Sequence, residues 1–194
     1  MSIGRNTFFT VIAMAALAPL VWSNSASAQQ LGVQPYIGAD AFIWDLELDG
    51  QSEFSDNGLR FRGGVHFTPQ LAFEAHVGLG GSDRKSFVDE DGPFSVEAKL
   101  DRLIGGYIRA NIPVADTINL YGLVGFSDLK LDLRLREEGF ATLSESDSVS
   151  GLSFGLGIEG LIFDDLYLNF DYMSYLNETN TELSAFSLGV RWVF

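Results

Sequence analysis

Residues 58–67 read GLRFRGGVHF, and in them Leu59, Phe61, Val65 and Phe67 alternate with Arg60, Arg62, Gly64 and His66. A helix would scatter these side chains around its circumference, whereas a strand sends successive side chains to opposite faces. The stretch is therefore a strand with one apolar face and one cationic face. Thr68-Pro69-Gln70 follows, and then Leu71, Phe73, Ala75, Val77 and Leu79 oppose Ala72, Glu74, His76, Gly78 and Gly80. Two alternating runs about a three-residue turn make a hairpin. The turn sets Arg62 opposite His76 and diagonal to Glu74, within reach of a long side chain.

Alternation of period two recurs on both sides of this hairpin, and eight such runs can be counted. Upstream, Ile37, Ala39, Ala41 and Ile43 oppose Tyr36, Gly38 and Asp40. Downstream, Ile104, Ile108, Ala110 and Ile112 oppose Tyr107, Arg109 and Asn111. A fifth run, 117–135, begins with Leu120, Val124 and Phe126 on one face and ends with Leu129, Leu131, Leu133 and Leu135 on the other; the change of parity suggests a bulge between Gly125 and Asp128. The last three runs set Leu152, Phe154, Leu156 and Ile158 against Gly155, Gly157 and Glu159, then Leu166, Leu168 and Phe170 against Asn169 and Asp171. They close with Phe186, Leu188, Val190, Trp192 and Phe194 opposite Ser187, Gly189 and Arg191. Each run is long enough for the roughly 9–11 residues of a tilted membrane-spanning strand, and no segment after residue 28 has the 18 apolar residues of a spanning helix. Connections near Pro69, Pro113 and Asp164 are short, and those at 48–57, 81–95, 136–148 and 177–182 are longer and polar. Short turns on one side and long loops on the other place the long loops outside the cell and both termini in the periplasm.

Residues 1–28 combine Arg5, an apolar run from Phe8 to Trp22 and the small-residue ending Ala26-Ser27-Ala28, the pattern of a cleaved export signal. The remaining 29–194 suit one domain. Cleavage would remove one Arg and no acid, taking the formal charge from −14 to −15. That balance excludes nucleic acid, which demands basic patches. With no cysteine there is neither a lipid-anchored N-terminus nor a disulfide framework.

An export signal, eight alternating strands, three short turns, four longer loops and an aromatic ending on an apolar-alternating strand resemble the small outer-membrane β-barrel superfamily, which includes the outer-membrane protein A transmembrane domain and the opacity-type surface proteins. The resemblance implies an all-β fold: an eight-stranded antiparallel up-and-down barrel with short periplasmic turns and four longer extracellular loops. It further implies that Phe186, Leu188, Val190, Trp192 and Phe194 are the signal read by the barrel-assembly machinery. Outer-membrane lipid and lipopolysaccharide would surround the barrel. Fold does not fix the task.

The face turned from lipid carries Asp40, Glu74, Glu159 and Asp171 with Arg60, Arg62, Arg109 and Arg191, plus His66 and His76. An eight-stranded interior is just wide enough to be filled by side chains, so four acids and four arginines are expected to pair and plug it, with the histidines in the same network rather than on a metal. Against the plug stands a small channel for ions or solutes lined by rings of charge. Catalysis, such as lipid A modification, would need a nucleophile, base and orienting acid at an accessible site. Neither histidine precedes a serine by two positions, and the reading is non-enzymatic. GLGIEG at 155–160 matches a dinucleotide fingerprint but is itself an alternating strand, so no cofactor is expected. Tyr36, Trp44, Tyr107, Tyr121, Tyr167, Tyr172 and Trp192 suit interfacial girdles. Acids in the longer connections, among them Asp49, Glu53, Asp56, Asp83, Asp89, Glu90, Asp91, Glu137, Glu138, Glu145 and Asp147, could bind divalent cations. The sum favours a structural or surface-interaction barrel.

Overall fold

The structure, a computed structural model, describes residues 33–48, 52–89, 92–137, 143–178 and 181–194. Residues 1–28, expected from the sequence to be an export signal, lie outside the described residues. The chain forms β1 (Gln34–Leu48), β2 (Ser52–His66), β3 (Leu71–Gly80), β4 (Ser82–Asp89), β5 (Gly92–Ala115), β6 (Ile118–Glu137), β7 (Leu143–Phe163), β8 (Leu166–Glu178) and β9 (Thr181–Val193). All neighbours are antiparallel in the order β3-β2-β1-β9-β8-β7-β6-β5-β4, and pairing of β3 with β5 closes the sheet into a ring. β3 and β4 pair end to end with the same neighbour, as Leu71–Gly78 face Ala110–Leu103 and Ser82–Asp89 face Lys99–Gly92. The ring is thus eight strands round, and the ninth element is the third strand resumed beyond Gly81. There the amide of Gly81 donates to the carbonyl of Asn57 in β2 at 2.7 Å, while its carbonyl accepts from the Leu100 amide of β5 at 3.3 Å.

Closure leaves one apolar surface facing outward. Leu59, Phe61, Phe73, Leu79, Ile112, Phe126, Leu156 and Leu188 are all more than half exposed, a belt whose natural solvent is lipid. In the longer connections the described residues are mostly strand: β4 covers Ser82–Asp89, β5 starts at Gly92, and β7 begins at Leu143. β5, with 24 residues, has a contour of roughly 80 Å at about 3.3 Å per residue, or roughly 60 Å along a tilted barrel axis, against a lipid-facing band of about 25 Å. About half of this strand therefore stands clear of the membrane.

No bulge interrupts β6. Its pairing with β7 runs without a shift from Ile118↔Gly160 to Leu135↔Leu143, and Tyr121, Leu123, Ser127, Leu129 and Leu131 all point inward. The irregularities of its pairing with β5 lie in β5, between Leu100 and Arg102 and between Pro113 and Ala115. What changes along β6 is the solvent. Val124 and Phe126 face lipid, and beyond them Asp128, Lys130 and Asp132 occupy the same outer face once it meets water.

Candidate functional site: the barrel lumen

The interior is built in two layers. The periplasmic layer is ionic. Arg60 gives Nε to Asp40 Oδ2 at 2.9 Å and Nη2 to Asp171 Oδ2 at 2.7 Å. Arg62 gives Nη2 to Asp40 Oδ1 at 2.7 Å and to Asp171 Oδ2 at 2.8 Å, with Nη1 3.7 Å from Glu74. Nearer the periplasm, Arg109 joins Glu74 at 3.1 Å to Glu159 at 2.5 Å, and Arg191 clamps both oxygens of Glu159 at 2.7 and 2.9 Å. His76 Nε2 lies 2.6 Å from Glu74 Oε1, and His66 Nε2 lies 3.4 Å from Arg191 Nη1. All ten residues named from the sequence thus meet in one connected layer, each no more than 9% exposed.

The same layer holds residues that sequence reasoning missed. Tyr36 donates its hydroxyl to Glu74 at 2.6 Å, Tyr121 donates to Asp171 at 2.9 Å, Tyr175 accepts from Arg60 at 2.9 Å, and Asn169 donates to Asp40 at 2.8 Å. Arg109 lies 3.8 Å over the Tyr121 ring, and Arg191 lies 4.8 and 4.5 Å over Tyr36 and Tyr167. Tyr36, Trp44, Tyr107 and Tyr121 are therefore lumen residues, not girdle residues, each at most 2% exposed. The signal was present in their parity, since Tyr36 shares a face with Asp40 and Tyr107 with Arg109. A phenol in a dry charged lumen can satisfy a carboxylate and lend a face to a guanidinium. Of the aromatics assigned to the girdles, Trp192 is the one more than half exposed.

Glycine makes room for these rings. A Cβ on Gly64 would collide with the Tyr36 ring, and one on Gly157 with the Tyr121 ring. The GLGIEG stretch is strand throughout, inside β7, and two of its glycines, Gly155 and Gly157, leave space for Met173 and Tyr121.

The extracellular layer is apolar. Phe42, Trp44, Leu46, Phe54, Leu100, Leu103, Leu129, Leu131, Tyr175, Leu176 and Leu183 belong to one buried cluster, with Val96 and Val149 packed against it. Nothing in the sequence analysis anticipated this layer. Beyond the belt, the strands' outer face meets water and becomes charged. Arg84 pairs with Glu97, and Arg102 lies 3.1 Å from Asp128. There the hydrogen bond from Lys99 at 3.0 Å holds the Asp101 carboxyl below its ordinary range. Among the described residues, no group of three or more His, Asp or Glu is arranged to hold a metal ion. Several of the acids expected to bind cations, including Asp49, Glu90, Asp91 and Glu138, lie outside the described residues.

The backbone is similar to several solved barrels. Ail, the attachment invasion locus protein of Yersinia pestis, aligns over 83% of this chain and 98% of its own at 15% identity and a TM-score of 0.59. Neisserial surface protein A aligns over 82% and 97% at 16% identity and a TM-score of 0.55. OprG of Pseudomonas aeruginosa aligns over 84% and 95% at 13% identity and a TM-score of 0.53. At such identities the likeness concerns the fold alone. No curated protein sequence matches the chain significantly. The family model described as outer membrane protein beta-barrel domain matches residues 11–194, and the chain belongs to that family of bacterial outer-membrane proteins.

Proposed function

We propose that this protein is a closed, non-catalytic outer-membrane barrel whose task is carried out by the surface it raises outside the cell. The observation that carries this reading is the filled lumen: a paired ionic layer lies in series with an apolar one, and both are buried. An ion entering from outside would have to shed its water among Leu100, Leu129 and Leu183 before reaching any charge, and such apolar constrictions close pores by dewetting. Rings of charge alone would have left the channel reading open.

The non-catalytic part rests on the histidines. His76 engages Glu74 and His66 engages Arg191, and no serine hydroxyl bonds to either ring among the described residues. The long strands, with outer faces charged beyond the belt, favour contact with lipopolysaccharide or with molecules at the cell surface. Phe186, Leu188, Val190 and Trp192 on β9, and Phe194 just beyond it, are all at least 40% exposed, which suits a strand read by the assembly machinery. Conductance of the purified barrel in a planar lipid bilayer tests the reading: silence is expected, and reproducible wild-type steps would replace it with a channel.

A further inference from the structure

The lipid-facing surface carries a groove that the lumen does not explain. On the outer face of β6 to β9, Ile118, Ile158, Ile162, Leu168, Phe170 and Leu188 wall a space of about 380 Å³ floored by Gly160. The register is Ile118↔Gly160↔Leu168, so the glycine deletes the middle side chain from a row of three. A Cβ at Gly160 would meet nothing nearer than the Thr117 carbonyl oxygen at 3.9 Å. The barrel's own packing therefore does not demand glycine there, and the volume falls in the roughly 300–1,000 Å³ range of small-ligand sites.

The periplasmic end of the groove is bounded by two turns. Asp116-Thr117 joins β5 to β6, Asp164-Asp165 joins β7 to β8, and the Leu161 amide bonds to the Thr117 carbonyl at 2.8 Å between them. Asp116, Asp164 and Asp165 are exposed, and neither these turns nor Thr68-Pro69-Gln70 contains a Lys or Arg. Asp164 sits at φ 39°, a left-handed conformation that Asp and Asn tolerate better than most residues, so that turn is tight, and Asp116 in the other turn adjoins Thr117, which lines the groove.

We propose that the groove holds an acyl chain of a periplasmic-leaflet phospholipid whose head group carries a primary ammonium, with the ammonium facing Asp116, Asp164 and Asp165. Charge complementarity selects this occupant. An anionic head such as phosphatidylglycerol would meet three like charges, and lipopolysaccharide lies in the opposite leaflet. A second copy docked by a two-fold axis would bring two such acidic sets together, because an isologous interface opposes each patch to itself.

Native mass spectrometry of the protein purified from outer membranes, stripped of lipid in mild detergent and offered equimolar phosphatidylethanolamine and phosphatidylglycerol, tests the proposal. The ethanolamine adduct should dominate by about tenfold, the sum of three weak exposed contacts. Gly160→Leu fills the groove and should lower that adduct by about tenfold. Gly106→Leu, at another outward glycine with nothing within 4 Å, should leave it unchanged. Replacing Asp116, Asp164 and Asp165 together by Asn should retain binding and abolish the preference. Equal adducts in the wild type, or an ethanolamine adduct indifferent to Gly160→Leu, would overturn the proposal. So would a dimer that Gly160→Leu dissociates, which would assign the groove to a second copy. Circular-dichroism melting checks each variant's fold, and Leu168→Trp, narrowing the groove from its wall, repeats the test should Gly160→Leu not fold.

Discussion

Glu74 touches four side chains of the lumen, engaging Tyr36, His76 and Arg109 directly and standing 3.7 Å from Arg62. Truncating it strands cations whose side chains are fully buried, whereas the wild-type set pairs four acids with four arginines. Breaking a buried pair from one side costs about 3–5 kcal/mol, so Glu74→Ala should lower the unfolding free energy measured by denaturant titration by about that amount. Tyr36→Phe, which removes one hydroxyl bonded to that carboxylate, should cost less, about 1.5–3 kcal/mol. Equal losses in the two variants would mean that the ionic layer is not what the acid supports. A contrasting case lies outside the belt, where Glu47 stands directly opposite Glu182 on β9. Like charges facing across strands destabilise by roughly 0.2–1 kcal/mol. Glu182→Lys should therefore raise stability by a few tenths of a kcal/mol at low salt, and the gain should fade at high ionic strength. At this scale the charged residues were legible because a strand's alternation assigns each side chain a face. The tyrosines were misplaced because their type, common at membrane interfaces, was allowed to outweigh their parity.

Along whole strands, the alternation carried its information until the surrounding solvent changed. β6 shows where it stopped. In the belt an outward residue must be apolar, and beyond it an outward residue must be polar, so a strand leaving the membrane swaps its pattern without swapping its faces. The swap from Phe126 outward to Leu129 inward imitates a bulge in sequence, although the register with β7 is unbroken. Strand order, hairpin turns and the placement of the short connections were legible because they rest on local signals. The length of the strands was not, because polar residues on an exposed sheet resemble those of a loop. The two accounts of β6 separate by mutation. Leu129 is fully buried and Phe126 is 69% exposed, so Leu129→Ala should cost about 2–5 kcal/mol through the cavity it leaves. Phe126→Ala, in lipid or detergent, should cost distinctly less. Thermal or denaturant melts of both in one detergent decide the matter, and the reverse ranking would restore a bulged strand with Leu129 outside.

For the molecule as a whole, the consequence of two layers is that the lumen has two seals in series. The ionic one was foreseeable, since eight strands leave room for little besides side chains and the inward charges balance. The apolar one was hidden because its members come from six strands that sequence alone cannot bring to one level. Two seals predict a conductance pattern that a single salt-bridged plug does not. Glu74→Ala opens space among the charges but leaves Trp44, Leu100 and Leu129 in place, so it should be as silent as the wild type. Trp44→Ala alone widens the apolar layer above an intact ionic one, which still blocks the path with paired side chains. Only the combination of Glu74→Ala with Trp44→Ala should give steps in a planar bilayer, provided that melting shows the double variant folded. Currents from Glu74→Ala alone would mean that the ionic layer is the sole barrier and that the apolar cluster parts readily. Silence from the folded double variant would mean that the neighbouring leucines close over the space, making the extracellular layer the stronger seal.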